Sequence, residues 1–234
     1  MPANAPRPRK EFGKTIAADI THRLREDIVT CRLMPGEPLR FDVLRLNFGA
    51  SFTTLREALT ALAAEGLVEA EEQRGFRVAP VSRKDLVEVT DARVLIEVEL
   101  LRRSVDKGDD EWEIAVMSTL HRLRKVEERA VDNPLHDPDW KTAHKQFHEA
   151  LVSAGDSATL LAIRAELFDR AERYRQLSAS LRPQPRDKSG EHQAIMQAAI
   201  SRNADLAVRL IESHIRITAQ NVATHAGHLL DSAI

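Results

Sequence analysis

Four histidines have a spacing that could bind a metal ion. His144 and His148 lie four residues apart, so on a helix their rings share one face. His192 begins a later helical segment and His214 lies inside the last one. Imidazoles from three helices of a bundle can converge on one ion, and a nitrogen-rich set suits zinc or nickel better than manganese or magnesium. The alternative is that the four rings are separate, half-buried polar side chains.

A second group of residues, between positions 51 and 66, could contact DNA. Ser51 can cap a helix N-terminus, because its hydroxyl can accept a hydrogen bond from a free backbone N–H. The apolar stripe of this helix comprises Leu55, Leu59 and Leu62. Thr53, Thr54 and Arg56 lie in the first turns, outside that stripe. A helix N-terminus favours phosphate, and an arginine one turn in can reach guanine edges, so the pattern predicts a helix that lies in a DNA groove.

A hairpin is predicted directly after this helix. Gly66 ends the helix, as a left-handed C-terminal glycine does. Leu67 and Val68 begin a strand, the polar residues 71–74 form a turn, and Gly75 permits a tight approach before the chain returns. The pattern therefore predicts a two-stranded wing, and the alternative is an ordinary amphipathic helix followed by a hairpin.

The rest of the chain must position the histidines, and its pattern is helical. A boundary is predicted at residues 79–82, where Pro80 interrupts the strand and Ser82 can cap a new helix. Six helical segments are predicted, covering residues 82–108, 112–131, 140–154, 157–181, 189–201 and 205–225. The fold class is therefore mainly α, with an antiparallel bundle of six or seven helices. We divide the chain into a disordered basic arm (1–12), a winged helix-turn-helix domain (13–80) and a helical domain (82–228).

Three short motifs resemble the winged helix-turn-helix of the GntR family of bacterial transcription regulators. They are TTLREAL at 53–59, AAEGLVE at 63–69 and RGFRV at 74–78. Upstream, residues 16–33 resemble the first helix of that family, 33–39 the turn after it, and 39–49 the second helix.

The helical part resembles the FCD ligand-binding domain of the FadR subgroup of that family. The matching motifs are DARVLIE at 91–97, KQFHEAL at 145–151, EHQAI at 191–195, and His214. Together the two resemblances cover nearly the whole chain.

The FCD resemblance implies a divalent metal site. It places the ligands at His144, His148, His192 and His214, but the family usually has Asp or Asn where this chain has His144. His144 therefore either completes an all-imidazole site or swings aside.

The same resemblance implies an effector-binding arginine. It places Arg93 in the pocket, where it can bind an effector carboxylate. Arg93 and Glu97 are also spaced as an i,i+4 pair, and the alternative is a surface salt bridge that contributes little.

The GntR resemblance implies DNA contacts and also shows departures. Arg56 matches the family and is the candidate for base readout. Phe52 and Asp42 stand where the family often has basic residues, so two usual contacts are missing.

Other residues can compensate for the missing contacts. Arg40 and Arg45 are candidates for phosphate contacts, while the Thr53 and Thr54 hydroxyls fix the register. Gly75 would let the wing approach the minor groove.

Composition agrees with a soluble regulator. The net charge is only −2, yet residues 1–60 hold ten Lys/Arg against seven Asp/Glu, so basic character lies where DNA contact is expected. The single cysteine, Cys31, excludes a disulfide framework within the chain and favours a reducing cytoplasm. No apolar run reaches the roughly 18 residues of a membrane span.

These observations predict a bacterial transcription factor that acts as a repressor and is not an enzyme. A homodimer would bind a pseudo-palindromic operator of double-stranded DNA, and a small carboxylate metabolite would bind at the metal and Arg93. The alternatives are a metal-sensing regulator and a metal-dependent enzyme. The enzyme is disfavoured because four protein ligands leave no open coordination position, and only Glu149 and Glu191 adjoin the ligand positions as possible bases.

Overall fold

The computed structural model describes residues 16–71, 75–129, 137–179 and 188–231. The chain divides into two compact units, Met1–Ile28 with Leu33–Ala79 and Val29–Arg32 with Pro80–Ile234. The predicted basic arm, residues 1–12, lies outside the described residues. No helix in the described part of the chain is long and apolar enough to cross a membrane.

The first unit combines three helices with a small sheet. Its elements are α1 (Ile16–Val29), β1 (Pro38–Leu39), α2 (Phe41–Phe48), α3 (Phe52–Ala64), β2 (Val68–Glu71) and β3 (Gly75–Val78). The strands are antiparallel in the order β1-β3-β2, with Val68 opposite Val78 and Leu39 opposite Phe76. The predicted stripe of α3 is confirmed, since Leu55, Leu59 and Leu62 are fully buried.

The predicted two-stranded wing is confirmed, because β2 and β3 form an antiparallel hairpin. Sequence reasoning missed β1, which adds a third strand to the edge of this hairpin. A two-residue strand has no alternation to detect, and it exists only because β3 supplies its hydrogen-bonding partner. Helix α1 ends at Val29 rather than near residue 33, and Cys31 follows in the left-handed region with φ of 56°.

Local hydrogen bonds explain where α3 begins and ends. The Ser51 hydroxyl accepts from the Thr54 N–H, which confirms the predicted cap. At the other end Gly66 has φ of +70°, its N–H donates to the Ala63 carbonyl, and the Leu67 N–H donates to the Leu62 carbonyl. This pair of bonds is a Schellman motif, and it directs the chain into β2.

The second unit is a helical bundle. Its helices are α4 (Arg83–Lys107), α5 (Asp110–Arg129), α6 (Pro138–Val152), α7 (Ala158–Ala179), α8 (Lys188–Ile200), α9 (Ala204–His225) and α10 (Gly227–Asp231), with a 3-10 turn at Ser153–Gly155. The long helix α4 packs against α6, α7 and α9, while α5 packs against α6 and α8. Ser82 caps α4 through the Asp85 N–H, as predicted. The described part of this unit thus contains seven helices, within the predicted six or seven.

The turn between α4 and α5 is fixed by packing on a tryptophan. Trp112 is 4% exposed, and its indole N–H donates to the Ala150 carbonyl over 2.9 Å. A Cβ added at Gly108 would lie 2.3 Å from the Trp112 ring. Gly108 has φ of −60°, which any residue can adopt. Glycine is therefore required here because there is no room for a side chain, and not because of the backbone conformation.

Gly108→Ala should therefore destabilise the bundle by about 1–3 kcal/mol, because the methyl group overpacks the Trp112 site. Urea unfolding of the full chain measures the loss. The same substitution in a Trp112→Leu background should cost less, since the ring is removed while the Ser104 carbonyl oxygen, 2.6 Å from the added Cβ, remains. Equal losses in both backgrounds would contradict the steric explanation.

Candidate functional site

The N-terminus of α3 is exposed and carries two of the predicted DNA-binding residues. Thr53 is exposed, whereas Thr54 is half-buried and its hydroxyl lies 2.9 Å from the Ser51 hydroxyl. The Thr54 side chain therefore belongs to the helix cap, and Thr53 presents the freer hydroxyl. Sequence reasoning treated the two threonines as equivalent.

The three arginines predicted to contact DNA are exposed and carry no ion pair among the described residues. Arg40 precedes α2, Arg45 lies in the last turn of α2, and Arg56 lies in α3. By contrast, Arg25 is paired with Glu65 over 2.6 Å, and Arg77 is paired with Glu71. The three predicted arginines thus keep their full charge for an anionic partner such as a phosphate.

Phe52 has a structural role that sequence reasoning missed. It is 50% exposed, and its ring centroid lies 4.3 Å from that of Phe41, which is 6.1 Å from that of Phe76. The three rings join α2, α3 and β3. The aromatic residue that replaces the expected cation therefore stabilises the arrangement of the two helices and the wing.

Gly75 lies at the start of β3 with φ of +97°, and nothing lies within 4 Å of a Cβ built on it. The glycine is needed for its backbone conformation, because L-residues rarely adopt this φ. The rest of the predicted turn, residues 72–74, lies outside the described residues.

In the bundle, the four predicted histidines are brought together. His144 and His148 come from α6, His192 from α8 and His214 from α9, and all four are buried. One nitrogen of each ring lies within 4.8 Å of those of the other three, and the Nε2 atoms of His144 and His148 are 3.1 Å apart. The structure thus excludes the alternative of separate, half-buried rings.

The chemistry of this cluster fits a metal ion. Burial lowers the pKa of His148 well below its usual value, and charge on His214 and His192 would lower it further. Its ring is therefore neutral, as a metal ligand must be. The Nδ1 atom of His148 is buried and has no hydrogen-bond partner among the described residues. A cation bound by the four imidazoles would be held by nitrogen donors that suit zinc or nickel.

Glu191 supports the cluster from outside. Its carboxylate lies 2.8 Å from Nδ1 of His214. A carboxylate that accepts from Nδ1 leaves Nε2 with the free lone pair, which is how metal-binding histidines are commonly oriented. Glu191 is thus engaged with His214, and Glu149, the other possible base, is exposed.

Arg93 belongs to a buried ion network and not to a surface salt bridge. Its guanidinium donates to Glu97 over 3.2 Å, and Nε of Arg164 donates to the same oxygen over 3.1 Å. Glu97 is 1% exposed. Burial alone would raise the pKa of Glu97, but Arg164 and Arg93 outweigh it and hold that pKa below its usual value. Arg164 was not anticipated, because its partner lies 67 residues away.

Arg175 is the second residue that sequence reasoning missed. Its Nη1 atom lies 3.0 Å from both ring nitrogens of His144, and it pairs with Glu172. Its guanidinium lies 5.0 Å from the ring centroid of Trp140, on which His144 also stacks. Because α7 shows little amphipathic pattern in sequence, nothing there distinguished Arg175 from the other arginines of that helix.

One cavity joins these groups. Its volume is about 40 Å³, and its lining includes Thr90, Arg93, His148, Phe168, Arg175 and His214. The cavity therefore places the predicted effector residue, Arg93, beside the histidine cluster.

The protein as purified should hold about one metal ion per chain, bound by the four histidines. Elemental analysis should find it lost in His192→Ala/His214→Ala and kept in the control His121→Ala/His228→Ala, whose histidines are exposed. Free histidine titrates near 6.5, so unperturbed imidazoles would lose a metal ion to protons in that range. The lowered pKa of His148 means that protons compete at this ring only at lower pH. Full metal retention by the first double variant would rule out this site.

Comparison with known families matches both units. Residues 16–78 match the model for bacterial regulatory proteins of the gntR family, and residues 88–217 match the FCD domain.

Several curated proteins are similar over most of the chain. The uncharacterized HTH-type transcriptional regulator BphR of Paraburkholderia xenovorans is 40% identical over 194 residues, covering 82% of this chain and 79% of that protein. The HTH-type transcriptional repressor GlaR of Escherichia coli is 35% identical over 199 residues, covering 82% of this chain and 89% of the repressor.

Solved structures share the fold. A GntR regulator from Rhodococcus sp. RHA1 superposes with a TM-score of 0.74 at 19% identity, covering 89% of this chain and 97% of that one. Escherichia coli McbR/YncC superposes with a TM-score of 0.76 at 17% identity, covering 92% and 98%.

Proposed function

Because the chain belongs to the GntR family of bacterial regulatory proteins and carries an FCD domain, we propose that it is a transcriptional repressor controlled by a small carboxylate. It is a DNA-binding transcription regulator and not an enzyme, and similar proteins such as GlaR are named repressors. The observation that carries the regulatory part is a cavity lined by Arg93 and by three of the four clustered histidines, His144, His148 and His214.

Operator binding is assigned to the exposed face of α2 and α3. Arg56 would read a base edge from α3, and Arg40 and Arg45 would contact phosphates in place of the missing basic residues at Asp42 and Phe52. Thr53 and Thr54 would fix the register, and Gly75 would allow the wing to enter the minor groove. A homodimer would place two such faces on a pseudo-palindromic operator, since a two-fold protein requires a two-fold site.

The metal site is assigned to His148, His192 and His214 with His144 as the fourth ligand. The ion is zinc or nickel, and when bound it supplies positive charge that a carboxylate can neutralise. Arg93 lies in the same cavity, where it can share that carboxylate. The effector would be held by the ion and Arg93 together.

Helix α7 offers a route from the cavity to the start of the bundle. Tyr174 lines the cavity, and its hydroxyl donates to Asp85 over 2.5 Å and lies 3.3 Å from the Ser82 N–H. Arg170 donates to the other oxygen of Asp85. Ser82 and Asp85 follow closely in the chain after Ala79, the last residue of the DNA-binding unit. A ligand that shifts α7 would therefore change the backbone at this junction.

A metal-sensing regulator is the second candidate, in which the ion itself is the signal. The buried four-histidine cluster supports it independently of any metabolite. The two candidates differ in whether metal alone alters operator affinity.

Arg56→Ala should weaken binding to the operator far more than to scrambled DNA, because a good base contact contributes roughly 1–3 kcal/mol of discrimination. Arg45→Ala should weaken binding to both and flatten the salt dependence by about one unit of slope. Gel-shift titrations at several salt concentrations measure both effects. Lys84→Ala, an exposed cation of α4, is the control. Equal losses on both DNAs for Arg56→Ala would reduce that residue to a phosphate contact.

Chelator treatment should leave a folded dimer that still binds operator but no longer responds to carboxylates. The carboxylate would lose its main cationic partner, and a ligand shifts an equilibrium only by its differential affinity for the two states. Gel shifts with and without metal, each with a carboxylate panel, test this.

Tyr174→Phe is the matched variant for that experiment. It keeps the ring and loses only the hydroxyl that bonds Asp85, so it should retain metal and ligand but respond less. If a carboxylate still released the operator fully from chelator-treated protein, the proposed coupling to the metal would be refuted.

A further inference from the structure

We infer that Arg175 is a second anion-binding residue of this cavity, and that the ligand is a compact dicarboxylate. The inference rests on the proposed function, in which one carboxylate lies beside Arg93 and the metal. It adds the residue that would bind a second carboxylate and so select between two classes of acid.

Arg175 is buried, yet one of its donors is unused. Its side chain is 7% exposed and lines the cavity. Nη2 donates to Glu172, and Nη1 lies 3.0 Å from the ring nitrogens of His144. Nε is buried and has no hydrogen-bond partner among the described residues. A buried N–H without an acceptor is unfavourable, so this geometry calls for an acceptor from a ligand.

Metal binding would leave Arg175 with a further unused donor. A guanidinium has only donors, so His144 must be the acceptor in their contact. A neutral imidazole has a single lone pair, and it cannot serve a metal ion and Arg175 at once. When His144 binds a metal, Nη1 of Arg175 needs a new acceptor, as Nε already does.

Charge in this region favours a dianion. Among the described residues, the largely buried Arg93 and the buried Arg164 and Arg175 pair with two buried carboxylates, Glu97 and Glu172. The region carries excess positive charge even before a divalent ion adds two more. Buried charge is tolerated when it is paired, and a dicarboxylate neutralises twice as much of it as a monocarboxylate does.

The hydroxyls of the cavity do not compete for this role. Thr90 donates to the Leu86 carbonyl, Thr218 to the His214 carbonyl, and Tyr174 to Asp85. The oxygens of a second carboxylate would therefore accept hydrogen bonds from Arg175. The cavity of about 40 Å³ is several times the roughly 10–15 Å³ that one water needs, so the ligand is compact.

Butyrate and succinate are matched probes, since they have the same chain length and differ by one carboxylate. We expect isothermal titration of the metal-loaded, full-length protein to give succinate at least 10-fold tighter binding than butyrate. Arg175→Gln should weaken succinate about 10-fold and change butyrate less than 3-fold. Arg175→Lys, which keeps the charge but loses the planar fork, should fall between. Arg209→Gln, exposed on α9, is the control and should change neither.

Metal content and circular dichroism of each variant establish that the site and the fold are intact, and Arg175→Lys serves if Arg175→Gln does not fold. Equal affinity of butyrate and succinate for the wild type, binding of neither, or a retained preference in Arg175→Gln would overturn the dicarboxylate assignment. A gel shift on the operator separates the two claims. Succinate that binds without releasing DNA would refute the proposed regulation alone, whereas release by butyrate and succinate alike would refute the present inference alone.

Discussion

The helical bundle is built around one constraint, which is that four imidazoles and three guanidinium groups are packed close together in its interior. Four imidazoles and the guanidinium groups of Arg93, Arg164 and Arg175 lie between helices α4, α6, α7, α8 and α9, where little water reaches them. A buried charge without a partner is costly, so each group must be neutral or paired. His148 satisfies this by a lowered pKa, and the arginines satisfy it only in part through Glu97 and Glu172, because three guanidinium groups share two carboxylates. In the proposed function, an incoming cation or anion would change which of these pairs are satisfied.

Helix α7 connects these charges to the rest of the bundle. Phe168 lies under both Arg93 and Arg164, with guanidinium carbons 5.0 and 4.8 Å from its ring centroid. Arg175 and Tyr174 are neighbours on the helix, one beside His144 and the other bonded to Asp85 at the start of α4. Helix α7 contacts both the histidine cluster and the first turn of α4. A movement of this helix at one of these places would therefore also change its contacts at the other. Under the proposed function, this packing would be the physical basis for coupling a ligand in the cavity to the chain that leads to the DNA-binding unit.

In the DNA-binding unit, by contrast, charged side chains lie on the surface and apolar side chains form the core. Leucines of α3 form the core, the Phe41, Phe52 and Phe76 rings join the two helices to the wing, and the exposed arginines are left without carboxylate partners among the described residues. Rigid placement of these cations matters, because phosphate and base contacts depend on register. Position 52 thus lacks the basic residue expected from the family, and Phe52 instead provides a packing contact with Phe41 that joins α3 to α2.

Sequence alone determined the elements whose causes are local. The caps at Ser51 and Ser82, the glycine at position 66 and the leucine stripe of α3 were all readable, because capping and 3.6-residue periodicity act over a few residues. The i,i+4 spacing of His144 and His148 was readable for the same reason.

Contacts between residues distant in sequence were decided only by the tertiary structure. Strand β1 exists because β3 lies beside it, and the pairing of Glu97 with Arg164 spans 67 residues. The contact of Arg175 with His144 likewise joins two helices, and no local pattern encodes it. The Arg93–Glu97 pair is part of a charged core and not a surface salt bridge. Sequence could not decide this, because packing between helices determines which face of a helix is removed from water.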